Sequence, residues 1–399
     1  MAAVAIDNDA WATSSNDIDF ALVRAEDASN VATVSTFHPT FTYPVFGDAE
    51  TIYGYKGLRV DVRFASTDLK PYLKIQYIAQ IDASLGVEVD DIEEKLYEVM
   101  PEGDQFFHDE EDFAKHVAES AKSFRPAGQL LATYQTQGKE YQIYYATSED
   151  ETFRSHLARM EMFVPYYIEG GIIVDLDDIR WKAYVLYERS TEGTFHFVGF
   201  CTCYPYYFYD NSIADNIRMR ISQFLVLPPF QKRGHGAHLY DTVRDHLLND
   251  PLVREVTVED PSEAFDELRD SRDMARFDRL KVFEGPEWKA PVDRKLIEET
   301  REAHKLAPRQ FLRCMEMSLY RKLNQKDKAA VKAFRLQVKA RIFRQNKDTL
   351  SQIDRMDRLD KLEQTYANVV EDYQRFLKAS RTHVLEEDSG APSAKKARV

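Results

Sequence analysis

The sequence predicts a protein of mixed α+β and α/β class, with three folded parts in 399 residues. Segments that alternate apolar and polar residues indicate an N-terminal α+β domain over 17–125. Strand-like runs between amphipathic segments indicate a central mixed sheet flanked by helices over 126–286. Long charged segments with apolar residues three and four apart indicate a C-terminal helical domain over 287–385. We expect a disordered start over 1–16 and a disordered tail over 386–399, because both are rich in small or polar residues.

Composition and charge narrow the class of protein. Hydrophobic residues make up 44% of the chain, which is enough for substantial cores. No apolar run reaches about 18 residues, and no basic region precedes an apolar stretch at the N-terminus, so we expect neither a membrane contact nor a secretory signal. The net charge of −14 opposes direct binding to nucleic-acid phosphates and favours a basic partner.

The three cysteines are Cys201, Cys203 and Cys314. Cys201 and Cys203 lie in an apolar run that predicts a strand, so both would face the same side. We interpret them as small core residues, with a redox pair or half of a metal site as the alternative. No second cysteine or histidine cluster completes such a site, so we expect no metal cofactor. Few cysteines without a signal sequence indicate a reducing compartment.

Strands and helices are predicted along the first two domains by the spacing of apolar residues. Alternation predicts strands over 57–65 and 72–81, and helical spacing predicts a helix over 91–99. The same spacing predicts a helix over 151–168, which Gly170 and Gly171 would end. After it we expect an apolar run at 172–174 and two strands, 183–187 and 195–204, joined by a turn at 190–193. A further strand at 219–227 is ended by Pro228 and Pro229, and a helix at 236–248 and a strand at 252–258 follow. The next helix carries Phe265 and Leu268 and is capped by Asp260 or Ser262.

The last predicted helix carries a heptad-like seam of apolar residues. Packing onto the body of the protein is the favoured interpretation, and a coiled coil with a partner is the alternative. The seam comprises Leu350, Ile353, Met356, Leu359, Leu362, Tyr366, Val369, Tyr373 and Phe376. The basic cluster at 395–398 is either a weak nuclear-import signal or a soluble end.

A glycine-containing loop lies between the strand ending near Leu227 and the helix starting near Gly236. Unpaired backbone N–H groups at a helix N-terminus attract anions, and glycines let the backbone approach a ligand closely. Lys232 and Arg233 add positive charge, so a diphosphate is the expected guest. A Walker loop is absent, and the third glycine of a dinucleotide fingerprint is missing. The pattern Gln/Arg-x-x-Gly-x-Gly/Ala instead resembles the coenzyme A cradle of the GCN5-related acetyltransferase superfamily.

Carboxylates at the end of the next strand suit the chemistry of acetyl transfer. The acceptor amine must lose a proton before it attacks a thioester, so a general base is needed. Glu259 and Asp260 follow the strand after the loop helix, and Glu169 is a third candidate. The alternative interpretation of Glu259 and Asp260 is a helix N-cap with a solvated neighbour.

Several segments together resemble the catalytic subunit of type B histone acetyltransferase, over about residues 20–375. These segments are 45–48, 54–57, 175–181, 224–237, 259–262 and 268–270. The resemblance implies that Glu259 is the general base and that Asp260 and Glu169 support it. It also implies a set of residues that bind acetyl-CoA, with the first three along the pantetheine arm: Phe224, Leu225, Val226, Gln231, Lys232, Arg233, Gly234, His235, Gly236, Ala237, Ser262 and Phe265.

The same resemblance implies a substrate, a partner and a location. The substrate would be the N-terminal tail of newly made histone H4, acetylated on lysine before deposition. The tail would bind Asp48, Glu50, Tyr204, Pro205 and Tyr206, in a region where insertions near 210–216 interrupt the match. The partner would be a WD-repeat β-propeller histone chaperone, in the nucleus and the cytoplasm. Two alternatives stay open: a histone-binding scaffold without activity, and an acetyltransferase for another basic peptide or a small amine.

Overall fold

The computed structural model describes residues 8–26, 31–82, 84, 86–209 and 215–389, with side chains as far as 378. The chain divides into two compact units. The first comprises Met1–Val253 and Thr257–Asp260, and the second Arg254–Val256 and Pro261–Val399. The predicted boundary at 125/126 therefore falls inside the first unit, and the second unit begins well before the predicted boundary at 286/287.

A four-stranded sheet with the order β3-β2-β6-β7 organises the N-terminal part of the first unit. Its strands are β2 (Asp19–Ala25), β3 (Val31–Phe37), β6 (Arg59–Ala65) and β7 (Pro71–Gln76). Two small sheets pair β1 (Ala12–Ser14) with β4 (Thr51–Tyr53), and β5 (Tyr55–Lys56) with β8 (Ala79–Gln80). The strand predicted over 72–81 is thus two strands, β7 and β8. Helices α1 (Tyr43–Phe46), α2 (Ile92–Tyr97) and α3 (Glu110–Ser123) belong to this part.

A six-stranded sheet with the order β14-β13-β12-β11-β10-β9 follows. Its strands are β9 (Gln129–Thr136), β10 (Lys139–Thr147), β11 (Lys182–Arg189), β12 (Phe195–Tyr207), β13 (Ile217–Val226) and β14 (Val253–Val258). The pairs from β9 to β13 are antiparallel. Ile217 N–H donates to Leu252 O and Glu259 N–H donates to Ile221 O, so β14 runs in the same direction as β13. The predicted mixed sheet is therefore confirmed, although the hairpin β9–β10 was not predicted.

The helix predicted over 151–168 is wrong as a single element. It is divided into α4 (Glu151–Glu161) and α5 (Val164–Tyr167). Pro165 lies at the start of α5 and has no N–H to donate to the carbonyl of Glu161, so the helix stops and begins again. The residues at 172–174 form no strand, and Ile172 is 82% exposed. The helix predicted over 236–248 is confirmed as α6 (His235–Asn249).

The second unit is helical. Its elements are α7 (Glu263–Arg279), α8 (Arg294–Ala303), α9 (Pro308–Lys322), α10 (Lys328–Gln345), α11 (Lys347–Ser351) and α12 (Arg355–Ser389). The seam residues from Leu362 to Phe376 pack against the core of this unit, which supports intramolecular packing for that stretch. Leu350 lies on α11 and Ile353 precedes α12, so the seam does not occupy one helix. Met356 and Leu359 are exposed.

The described residues include part of each end that was predicted to be disordered, and all three cysteines. Asn8–Trp11 form a 3-10 helix and β1 is paired with β4, so the disordered start is wrong for the residues described there. Helix α12 continues to Ser389, whereas 1–7 and 390–399, with the basic cluster, lie outside the described residues. All three cysteines are buried, as expected of core residues. No helix in the described part of the chain is long and apolar enough for a membrane span.

Candidate active site

The glycine loop begins where β13 ends at Val226. A 3-10 turn over Pro228–Phe230 follows, because the two prolines cannot continue the strand ladder. The Gln231 Nε2 amide donates to Val226 O at 2.8 Å and closes the loop at its start. Lys232 (φ 58°) and Gly234 (φ 86°) both adopt left-handed backbone conformations, and α6 begins at His235. The sequence therefore predicted the position of this loop correctly.

The loop has the donors that a diphosphate needs. The N–H groups of His235, Gly236 and Ala237 occupy the first turn of α6 and have no partner within the helix. A Cβ atom on Gly234 would meet nothing within 4 Å, so open space lies beside this backbone. Lys232 and Arg233 are exposed. Backbone donors, a helix dipole and two cations around open space fit the diphosphate of coenzyme A.

Glu259 is held at the end of β14. Its Oε2 accepts a 2.6 Å hydrogen bond from Ser222 Oγ on β13, and its Oε1 lies 3.5 Å from an Arg220 guanidinium nitrogen. Strand β13 continues to Val226 beyond the end of β14. Asp260 follows with a φ of 28° and is exposed, as is Glu169. The N-cap interpretation of Glu259 and Asp260 is wrong, because Ser262 caps α7.

A buried network joins β13 to the segment that follows Glu169. The Gln223 side-chain amide donates to Glu161 Oε2 at 2.7 Å and to Ile172 O at 3.0 Å. The Val174 N–H also donates to Glu161 Oε2, at 3.2 Å. Burial raises the pKa of Glu161 to about 7, because water does not solvate the charged form there. Since Ser222 is the neighbour of Gln223, this network connects the Glu169 segment with the strand that holds Glu259.

Aromatic side chains and arginines form a surface at the end of β12. The Tyr204 hydroxyl donates to Asp178 Oδ2 at 2.6 Å, and its ring lies 4.9 Å from that of Tyr206. The Arg220 guanidinium lies 4.4 Å from the centre of the Tyr206 ring. Hydrogen bonds from Arg180 and Tyr204 hold the pKa of Asp178 below its usual range. Pro205, which separates the two tyrosines in the sequence, is half-buried.

The two acidic residues predicted to bind the substrate differ in availability. Both oxygens of Glu50 are occupied, since Oε1 accepts from the Thr42 N–H at 2.6 Å and Oε2 from Asn16 at 3.2 Å. Hydrogen bonds from the Thr42 backbone and from Asn16 lower the pKa of Glu50. Asp48 is exposed. The Tyr43 hydroxyl accepts from the Gly170 N–H at 3.3 Å, so this loop lies beside the segment of Glu169.

The remaining predicted cofactor residues fall into two groups. Leu225 and Val226 are buried and Phe224 is half-buried at the end of β13. Ser262 and Phe265 belong to the second unit, where Ser262 Oγ accepts from the Phe265 N–H at 3.2 Å. No group of three or more histidine, cysteine or acidic side chains in the described residues is arranged to hold a metal ion.

Sequence reasoning did not identify Arg220, Ser222, Glu161 and Gln223. The signal for the first two was present: β13 alternates, so Arg220 and Ser222 face the side opposite Met219 and Ile221. Glu161 lies four residues after Leu157 on the apolar face of α4, where a carboxylate is unusual.

Three family models match the chain. The model described as "Histone acetyl transferase HAT1 N-terminus" matches residues 11–169. "Acetyltransferase (GNAT) family" matches 141–265, and "Fungal HAT1, C-terminal" matches 270–324. The glycine loop and Glu259 lie within the acetyltransferase match.

Curated relatives match along nearly all of the chain. A protein of Cryptococcus neoformans var. neoformans serotype D, named histone acetyltransferase type B catalytic subunit, is 37% identical over 92% of this chain and 97% of its own. Proteins of the same name from Mycosarcoma maydis and Schizosaccharomyces pombe are each 38% identical, over 92% and 88% of this chain and 88% and 89% of theirs. The chain belongs to this family. Membership of this family and the GNAT match make the chain a lysine acetyltransferase, which confirms the predicted fold class and enzyme class.

Proposed function

We propose that this acetyltransferase moves the acetyl group of acetyl-CoA directly to a lysine in the N-terminal tail of newly made histone H4. The observation that carries the proposal is the Glu259 carboxylate, which Ser222 holds on the strand that leads into the glycine loop. The last residues of β13 separate this carboxylate from the diphosphate site in the glycine loop. Acetyl transfer to an amine requires a general base and a cofactor site arranged in this way.

The cofactor side of the site consists of backbone donors. When bound, acetyl-CoA supplies the acetyl thioester that the amine attacks. The N–H groups at the start of α6 hold its diphosphate, with Lys232 and Arg233 adding charge. We assign Phe224, Leu225 and Val226 to the pantetheine arm, and the continuation of β13 past the end of β14 supports this assignment. Ser262 and Phe265, which belong to the second unit, stay predictions from the sequence resemblance.

Glu259 removes the proton from the substrate ammonium. The Ser222 hydroxyl fixes the carboxylate through Oε2, and Oε1, which lies 3.5 Å from an Arg220 nitrogen, accepts the proton when the substrate lysine takes the place of that guanidinium. The neutral nitrogen then bonds to the acetyl carbon, and backbone N–H groups of β13 and the loop stabilise the developing oxyanion. The C–S bond breaks as the carbonyl re-forms, and coenzyme A leaves as a thiolate that takes up the second proton of the nitrogen. Asp260 and Glu169 support the reaction by their negative charge.

The substrate side combines carboxylates with aromatic rings. Asp48 and the surface of Tyr204, Pro205 and Tyr206 suit a basic, flexible peptide, since ammonium and guanidinium groups bind carboxylates and ring faces. Glu50, whose two oxygens already accept hydrogen bonds, contributes its negative charge. The Arg220 guanidinium contacts both the Tyr206 ring and the Glu259 carboxylate. We assign the position of this guanidinium to the substrate lysine during turnover.

A second subunit and two locations belong to the same proposal. The relatives are named as catalytic subunits, which supports an assembly with another chain. We propose a WD-repeat β-propeller histone chaperone as that chain, and a distribution between nucleus and cytoplasm.

The decisive experiment compares Glu259→Gln with wild type in acetyl transfer to an H4-tail peptide. We expect kcat to fall by about 100-fold or more, the contribution of a general base, while the Kd of coenzyme A measured by calorimetry stays unchanged. Glu192→Gln, in an exposed turn, is the matched control. Equal kcat values would remove Glu259 from the reaction. Absence of coenzyme A binding by the wild type would instead favour a scaffold.

A further inference from the structure

Only one residue of the glycine loop is fully buried. From Gln231 to Gly234 every residue is exposed, and Gly236 and Ala237 are half-buried, whereas His235 is 1% exposed. No side chain caps the N-terminus of α6, and Lys232 holds a left-handed conformation that a residue with a Cβ rarely adopts. The buried His235 side chain is therefore the point at which the protein interior can restrain the start of α6.

Tyr134 lies on the edge strand β9, far from His235 in the sequence, and contacts this histidine. The Tyr134 hydroxyl lies 2.7 Å from His235 Nδ1. The Tyr134 ring also stacks on His238, one turn along α6, with ring centres 3.8 Å apart and planes 14° apart. One tyrosine thus contacts the first and the fourth residue of the helix that opens at the loop.

The polarity of the hydrogen bond follows from burial. Burial raises the pKa of Tyr134, and burial with the nearby His238 and Arg233 lowers the pKa of His235 to about 4. At neutral pH the tyrosine O–H therefore donates, and the neutral imidazole accepts at Nδ1 and keeps its proton on Nε2. That Nε2 is buried and has no hydrogen-bond partner among the described residues. The orientation of the imidazole thus depends on Tyr134 alone for hydrogen bonding.

The strand next to Tyr134 supports the histidine from a second side. The ring centre of Tyr141, on β10, lies 4.3 Å from that of His235. The Tyr141 hydroxyl donates to Glu188 at 3.4 Å, and Glu188 is in turn bound by Arg24 at 2.6 Å and by Lys139 at 3.0 Å. The imidazole therefore contacts two tyrosines, of which only Tyr134 donates to it.

We infer that Tyr134 is a positioning residue for the cofactor: through His235 it fixes the orientation of the backbone donors at the start of α6. The inference rests on the proposed binding of the coenzyme A diphosphate by this loop. Fixing His235 also fixes the adjacent N–H groups of Gly236 and Ala237, which point the same way at the helix N-terminus. Loss of the tether leaves the donors present but less well ordered, so affinity falls while the reacting groups stay intact.

The test is Tyr134→Phe, which keeps the ring and its stacking on His238 but removes the hydroxyl. We expect the Kd of coenzyme A, measured by calorimetry on the full chain, to rise about fivefold to tenfold, as for the loss of one hydrogen bond to a buried acceptor. The KM for acetyl-CoA should rise by the same factor, with kcat and the KM for the H4-tail peptide unchanged. Tyr144→Phe is the control, because it removes a hydroxyl that donates to Gln142 in the same sheet.

A double-mutant cycle separates positioning from general damage. His235→Leu should weaken coenzyme A binding at least as much as Tyr134→Phe. The double variant should bind coenzyme A as tightly as His235→Leu, because both substitutions remove the same hydrogen bond. Additive losses, or an unchanged Kd in Tyr134→Phe, would overturn the inference. A matching fall in kcat together with a lower melting temperature would show a merely structural role. If the wild type itself fails to bind coenzyme A, the proposed function fails instead.

Discussion

Replacing Glu161 by glutamine should stabilise the first unit above pH 7 and leave its stability unchanged near pH 4. The Glu161 side chain is buried, and its Oε2 accepts from Gln223 and from the Val174 N–H. Its Oε1 is buried without a hydrogen-bond partner in the described residues, so the proton of the neutral acid resides there. Glutamine can place its oxygen at Oε2 and its NH₂ at Oε1, and therefore reproduces the neutral acid without a titratable proton.

The expected size follows from the pKa of Glu161. Burial raises this pKa from 4.5 to about 7. Between these values the folded state holds a proton that the unfolded state has lost, so stability falls as the pH rises through this window. At 1.36 kcal/mol per pH unit the full loss is about 3 kcal/mol, reached above pH 7. The variant escapes this loss, so its advantage grows from zero near pH 4 to about 3 kcal/mol at pH 8.

The assay is urea unfolding of the full chain, followed by circular dichroism at pH 5, 6, 7 and 8. The free energy of unfolding of Glu161→Gln is compared with that of wild type, and exposed Glu192→Gln serves as the control. The reasoning is refuted if the two proteins differ by the same amount at pH 5 and pH 8. It is also refuted if the glutamine variant is less stable than wild type at pH 8.

Three further predictions address the active site and the second unit. Ser222→Ala removes the 2.6 Å hydrogen bond to Glu259 and should lower kcat about tenfold without changing the Kd of coenzyme A; an unchanged kcat would contradict this. Arg220→Gln removes the cation beside Glu259 and should lower the KM for the H4-tail peptide about twofold to fivefold in low salt; a gain that persists in high salt would exclude charge competition. Glu316→Ala leaves Arg341 and Tyr373 without their buried acceptor and should destabilise the second unit by about 3–5 kcal/mol in thermal unfolding, whereas exposed Glu371→Ala should not.

The sequence was most informative where local chemistry determines structure. Two prolines end β13, and a glycine is needed where the backbone turns into α6, so the sequence alone locates the loop from Gln231 to Ala237. The cap of α7, which was predicted at Asp260 or Ser262 and is Ser262, and the strand leading to Glu259 follow from equally local rules. These elements depend on neighbours within a few residues, which a sequence displays directly.

Contacts between distant residues were not accessible in the same way. Tyr134 is separated from His235 by 101 residues, and nothing in either local pattern identifies the other. The hairpin β9–β10 was missed because polar residues on both faces of β9 obscure the alternation, as the exposed Leu130 shows. The break in α4–α5 was a different failure, since Pro165 was visible and outweighs the apolar periodicity around it.

The three candidate carboxylates can be ranked by how firmly each is held. Glu259 receives a hydrogen bond from Ser222, and its backbone N–H pairs with Ile221 O on β13, so its carboxylate has a defined position. Asp260 and Glu169 are exposed, and the described residues give neither side chain a hydrogen bond or an ion pair. A general base acts through a near-attack geometry, and an exposed, unrestrained carboxylate loses most of that advantage to its own rotation. Their charges still favour a cationic substrate. We therefore expect Asp260→Asn and Glu169→Gln to raise the KM for the peptide more than they lower kcat, the reverse of Glu259→Gln.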